Sequence, residues 1–211
     1  MRSKLARFAE NARRKNVVQP GKSIFATIRG NWSAYFENEH PIILELGCGH
    51  GEYTVGLASI HPDINFVGVD VKGARIWKGS HDAEMLKLTN AAFLRIRILE
   101  LEDSFAEQEV VGLWITFPDP HPKKKEAKRR LTSPRFLELY KRVVQPGSWV
   151  HLKTDNLALY EYSRELLSNR EDVHELKYAN DLYNSDLYEL EQQIKTTYER
   201  KFAQRGTTIK Y

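Results

Sequence analysis

An apolar run, Ile42-Ile43-Leu44-Glu45-Leu46, passes without a spacer into Gly47-Cys48-Gly49-His50-Gly51. The β-branched start and short length predict a strand, and the glycines end it in a sharp turn. A helical segment from Glu52 to Ile60 follows. The same alternation then recurs. FVGVD (66–70) reads as a second strand, and Ala74, Trp77, Met85 and Leu88 mark one face of a helix over 74–88 that Gly79 weakens. FLRIRI (93–98) alternates as a strand does, and VVGLWITF (110–117) is apolar enough to be covered on both faces. A helix near 133–144, a turn at Pro146-Gly147, a strand WVHLK (149–153) and a helix over 157–168 complete the series. Strand and helix alternate about five times, which predicts an α/β fold: a mostly parallel sheet with helices on both faces. VHELKYA (173–179) and IKTTYERKF (194–202) read as two last strands, an antiparallel C-terminal hairpin that brings the sheet to seven. Residues 1–35 show little regular pattern. They are expected to form a basic arm, mobile until a partner orders it, or a helix across the sheet edge. Residues 36–211 are expected to form a single domain.

The net charge is only +4, but its distribution is uneven. Residues 1–30 hold eight Lys or Arg against Glu10, and residues 121–130 hold six against Glu126. Residues 171–191 hold seven Asp or Glu against Lys177. Two basic blocks in a nearly balanced chain predict a one-sided surface for a polyanion. Cys48 stands alone, which excludes an internal disulfide and a cysteine-rich zinc site and fits a reducing cytoplasm. No apolar run approaches a membrane span, and the first fifteen residues lack the apolar core of a secretory signal. Neither a metal nor a membrane is expected as a partner.

The glycine loop follows the first strand, where open α/β sheets bind ligands. A dinucleotide loop wants its third glycine where Glu52 stands; here the spacing is G-x-G-x-G, with Glu45 two residues ahead. A carboxylate beside such a loop suits an ammonium group and opposes a pyrophosphate. Asp70 ends the second strand, where its oxygens accept ribose hydroxyls. Gly47, Gly49, Glu45 and Asp70 together point to adenosine carrying an amino-acid tail, that is, S-adenosylmethionine. The alternatives are NAD and a packing loop without a ligand.

A second loop, Thr116-Phe117-Pro118-Asp119-Pro120-His121-Pro122, follows the fourth strand and runs into Lys123-Lys124-Lys125. Two prolines stiffen the backbone around Asp119, as a catalytic group requires. Four segments, ELGCGHGEY (45–53), FPDPHPKKKEAKRR (117–130), KTDN (153–156) and TTYERKF (196–202) with Gly206, resemble in order those of the bacterial tRNA (guanine-N7)-methyltransferase family. The resemblance spans nearly the whole chain. It implies a Rossmann-like class I methyltransferase fold, S-adenosylmethionine as methyl donor and tRNA as substrate, with the guanine in the variable loop. It places Glu45, Gly47 and Asp70 at the cofactor and Asn90 near the start of the third strand. Asp119, Asp155, Thr196 and Glu199 are then expected to line the guanine and methyl-transfer pocket, Asp119 also touching the cofactor, with Lys123 and Arg130 near RNA.

Two positions depart from the family. His121 stands where Trp is usual, and Arg97-Ile98 where Asp-Ala meets the adenine. Ile98 still covers a ring, but Arg97 has no acceptor for the adenine amino group. Guanine N7 carries a free in-plane lone pair, so the expected reaction is direct in-line displacement at the methyl carbon, with no general base. Asp119 or Glu199 accepting from guanine N1 and N2 would orient the ring. The alternatives are a methyltransferase of this fold acting at another RNA site, and a non-catalytic RNA-binding protein. No obligatory protein partner is expected, and the state is a monomer or homodimer.

Overall fold

The structure is a computed structural model that describes residues 3–211; Met1 and Arg2, the start of the expected arm, lie outside the described residues. The helices and strands are α1 (Lys4–Arg13), β1 (Val17–Val18), α2 (Trp32–Phe36), β2 (Ile42–Leu46), α3 (Glu52–Ile60), β3 (Asn65–Val69), α4 (Gly73–Met85), β4 (Ala91–Leu94), β5 (Val110–Thr116), α5 (Pro134–Val143), β6 (Val144–Lys153), α6 (Leu157–Ser168) and α7 (Thr197–Gln204). The strands form one sheet in the order β1-β4-β3-β2-β5-β6, and every pair is parallel.

Alternate residues of each strand enter opposite cores, as the two-residue period demands. Val18, Leu44, Val67 and Leu94 join Trp32, Leu113, Phe136 and Tyr140 on one face. Val17, Phe66 and Phe93 join Tyr53, Leu57, Ile76 and Trp114 on the other. Burial on both faces is what makes these strands mostly apolar, and it is why β2, β3 and β5 were readable.

The C-terminal hairpin is not formed. Residues 173–179 contain no strand, and the segment read as the last strand is helix α7. Thr196 is its N-cap, with Oγ1 accepting from the Glu199 backbone N–H at 3.1 Å. Thr-x-x-Glu is a helix-start signature, and it overrides the weak alternation of residues 194–202. The described residues thus hold six parallel strands in place of seven. Among the described residues, antiparallel contact takes the form of the bridge Thr154–Lys210, a reciprocal backbone pair between Ala179 and Tyr211, and a bond from the Leu182 N–H to the Ile209 carbonyl.

The described part of the basic N-terminal segment forms a helix and a short edge strand. Helix α1 lies against α4, Asn11 Nδ2 donating to the Gly73 carbonyl at 2.7 Å. Strand β1 extends the sheet beside β4, pairing Val17 with Phe93 and Val18 with Leu94. Ile28 and Trp32 are fully buried in the same core as Leu44, so no boundary at residue 35 interrupts it. The third strand is shorter than FLRIRI: β4 ends at Leu94, and Ile98–Asp103 forms 3-10 turns.

Candidate active site

The carboxyl ends of β2, β3 and β5 meet at the glycine loop. Gly47 and Cys48 donate backbone N–H bonds to the Val69 carbonyl at 2.8 and 3.1 Å, folding the loop over the end of β3. Gly47 sits at φ +75° and Gly51 at φ +71°. At Gly51 a Cβ would also lie 2.4 Å from the Phe93 ring, so glycine is required by angle and by space.

Asp70 is held by two backbone donors, Gly49 N–H to Oδ2 at 3.0 Å and Lys72 N–H to Oδ1 at 2.7 Å. Each oxygen keeps a further lone pair for a ligand hydroxyl. The next residue, Val71, is 52% exposed, and Leu99 beyond β4 is 41% exposed; both are apolar surfaces fit for a purine face. Ile98 is half-buried against the core. Arg97 is exposed, and its backbone N–H donates to the Glu100 carboxylate at 3.2 Å.

Glu45 lies deeper than the sequence implied, at 3% exposure beneath the loop. Its Oε2 accepts from Thr54 N–H at 2.9 Å and Thr54 Oγ1 at 2.5 Å; its Oε1 accepts from Thr116 Oγ1 at 2.7 Å. Burial pushes its carboxyl up to about 7 against the lowering effect of these three bonds. Glu45 therefore joins the helix after the glycine loop to the residue that opens the Pro118–Pro122 loop. Neither threonine was legible as a partner. Cys48 is a packing residue: it is buried, and burial holds its thiol well above the usual range.

In the second loop, Phe117 and His121 take positive φ, +49° and +43°, bracketing the prolines. Asp119 between them is exposed, with no hydrogen bond or ion pair among the described residues. Lys123 is exposed behind it. Arg130 is turned inward, at 9% exposure. Asp155, half-buried after β6, likewise has no side-chain partner among the described residues.

The C-terminal segment crosses both loops. Thr197 donates through N–H and Oγ1 to the two oxygens of Glu52, the first residue of α3, at 2.8 and 2.5 Å. Phe202 stacks on Phe117 with centroids 6.1 Å apart. Glu199, expected at the guanine, is fully buried and engaged. Lys153 Nζ lies 2.9 Å from Oε1 and 3.0 Å from Oε2, and Tyr183 OH donates to Oε1 at 2.6 Å. Lys153 also donates to the carbonyls of Gln192 and Ile194. Burial lowers the lysine's pKa, and the Glu199 carboxylate opposes that. Thr196 is buried as the α7 cap. The fold thus brings the four sequence segments to one place, with Asp119 and Asp155 open, Asp70 buried at the end of β3 on two backbone donors, and Glu45 and Glu199 in the framework. Lys153 and Tyr183 were missed. The signal available for Lys153 was a charged residue closing an apolar strand.

A family model described as "Putative methyltransferase" matches residues 39–211. The chain is 44% identical over 211 residues to the tRNA (guanine-N(7)-)-methyltransferase of Cytophaga hutchinsonii, covering 100% of this chain and 96% of that one. It is 48% identical over 198 residues to the protein of the same name from Porphyromonas gingivalis, covering 92% and 79%. Among solved structures, an antibiotic related methyltransferase superposes with a TM-score of 0.62 at 13% identity, over 86% of this chain and 91% of that one. The 16S rRNA methyltransferase KamB gives 0.59 at 16%, over 92% and 96%. At these identities the structures share the fold.

Proposed function

The chain belongs to the tRNA (guanine-N(7)-)-methyltransferase family, and from that membership we propose that it methylates N7 of a guanine in tRNA. The observation that carries the reading is the open carboxylate of Asp119 on a stiffened loop, tied through Thr116 and Glu45 to the glycine loop.

The residues present fit S-adenosylmethionine. The loop's three glycines, Gly47, Gly49 and Gly51, all take positive φ, and a Cβ on Gly49 would meet no heavy atom nearer than 4.0 Å, which leaves space for a ligand beside the main chain. Asp70 holds acceptor capacity for the ribose, and Val71, Ile98 and Leu99 offer the apolar faces. The departure at Arg97 leaves the adenine amino group without a side-chain acceptor there. When bound, the cofactor supplies a sulfonium methyl group.

The chain's own residues have three tasks. Asp119 and Asp155 accept from guanine donors and orient the ring with N7 outward; no base is needed, because the nucleophilic lone pair is free. Glu45, Gly47 and Gly49 shape the cofactor end, and Thr196 and Glu199 hold the wall facing it. Lys123 meets phosphate, giving affinity without sequence information. Direct in-line displacement makes the demand one of alignment, which well-placed groups satisfy at a gain of about 7–11 kcal/mol.

We place the activity in the cytoplasm, in a monomer or homodimer without an obligatory protein partner. Among the described residues no helix is long and apolar enough to cross a membrane. The test uses unmodified tRNA and isotope-labelled cofactor, with 7-methylguanine mapped by borohydride and aniline cleavage. Label on another base, or none, refutes the reading. Asp119→Ala should abolish most turnover while calorimetry shows cofactor binding intact; unchanged turnover removes Asp119 from the mechanism.

A further inference from the structure

Arg130 belongs to a basic run whose exposed members, Lys123, Lys124, Lys125, Lys128 and Arg129, suit phosphate. Its own side chain points elsewhere. Nε donates to the carbonyls of Pro120 at 3.2 Å and His121 at 3.3 Å, and Nη2 donates to His121 at 3.1 Å. The guanidinium carbon lies 4.3 Å from the centroid of the Tyr162 ring, on α6. The cation is thus held between an aromatic face and two carbonyls of the loop that carries Asp119.

Those carbonyls belong to a costly piece of backbone. His121 has φ +43°, and a non-glycine residue there needs surroundings that impose the angle. The planar fork of Arg130 imposes it, because two carbonyls must converge on one guanidinium. The adjoining residues are anchored as well. Thr132 and Ser163, both buried, share a hydrogen bond of 2.7 Å, which fixes the segment to α6 beside Tyr162. Leu131, whose carbonyl accepts from Tyr140 OH at 3.0 Å, reaches the glycine loop: its Cδ1 would lie 3.9 Å from a Cβ on Gly47.

We propose that Arg130 is a positioning residue for methyl transfer: stacked on Tyr162, it holds the carbonyls of Pro120 and His121 and so fixes Asp119 relative to the glycine loop beside which Leu131 lies. It makes no phosphate contact. The assignment rests on the reading of Asp119 as the acid that faces guanine.

Single-turnover methyl transfer at saturating cofactor and tRNA, together with tRNA affinity from low to high salt, tests it on the full chain. Arg130→Lys keeps the charge and loses the fork. The expected result is that Arg130→Lys and Arg130→Ala both slow the step by about 100-fold, the scale of a misplaced reacting group. tRNA affinity and its salt slope stay at the parent values. A phosphate contact gives the opposite pattern: the lysine variant recovers, and the alanine variant loses about 0.7–0.9 of salt slope. That pattern overturns the proposal. Should both variants lose their cooperative melting transition, Tyr162→Leu decides: a slowed step at parent affinity supports the proposal, and a parent rate overturns it. Asp119→Asn is run alongside. If it retains the parent rate while the Arg130 variants are slow, the reading of Asp119 fails and the brace acts on another part of the loop.

Discussion

Thr116 Oγ1 donates to Glu45 Oε1 at 2.7 Å, across 71 residues of sequence. Through that bond the last residue of β5 and the acid before the glycine loop move as one piece. Glu45 is fully buried, with its carboxyl raised to about 7 from 4.5 by burial. The folded chain therefore holds the proton more tightly than the unfolded chain. The sign follows: this stability is fully present below about 4.5 and is lost as pH rises through about 7. Glu45→Gln removes the titration. Melting temperature measured across this window should fall more steeply in the parent than in the variant, for a difference in unfolding free energy of about 3 kcal/mol. Parallel profiles contradict the assignment.

Lys153 and Glu199 form a fully buried pair, and its two members are not independent. Lys153→Met leaves an unpaired carboxylate inside the protein and should cost about 3–5 kcal/mol in urea denaturation. Adding Glu199→Leu removes that charge and should restore most of the loss. A double variant no better than the single one would show that the ammonium's bonds to the Gln192 and Ile194 carbonyls dominate.

Gly51 and Gly206 share a left-handed backbone, at φ +71° and +69°. Only Gly51 is crowded; a Cβ added at Gly206 would have nothing within 4 Å. Gly206→Ala should cost about 1 kcal/mol, the price of the backbone angle alone. Gly51→Ala adds the clash with Phe93 and should prevent accumulation of folded protein. Equal thermal stability of the two variants would contradict this.

The N-terminal cations require a charge change in place of a deletion, since β1, Ile28 and Trp32 belong to the sheet and its core. Lys4, Arg13 and Lys15 are exposed. Replacing all three with Gln should leave folding intact and flatten the salt dependence of tRNA binding by about 0.7–0.9 per lost phosphate contact. An unchanged slope would confine the RNA footprint to the block at 121–130.

What the sequence disclosed was local in cause. Strands β2, β3 and β5 declare themselves because burial on both faces leaves each with a single polar residue, Glu45, Asn65 and Thr116, in an otherwise apolar run. Asp70 and the glycine loop declare themselves because their chemistry is contiguous with a strand end. The misread segment, 194–202, carried its correct signal in Thr196 and Glu199, but alternation outweighed the cap. Strand β1 is two residues long and invisible to any periodicity. The roles of Glu45, Glu199 and Arg130 were beyond reach for one reason: each is set by a partner on another element, Thr116, Lys153 or Tyr162. A free acid and a framework acid look alike in sequence.

The buried pair also orders events during synthesis. The parallel sheet is complete once Lys153 has left the ribosome, but the carboxylate that accepts its ammonium follows 46 residues later. Until then the Lys153 ammonium lacks the carboxylate that accompanies it in the folded interior. The strands around the glycine loop are therefore synthesised before the helix that supplies Glu199. A chain halted with β6 emerged and Glu199 not yet made would leave the Lys153 ammonium without its carboxylate, a state for chaperones to shield and proteases to find.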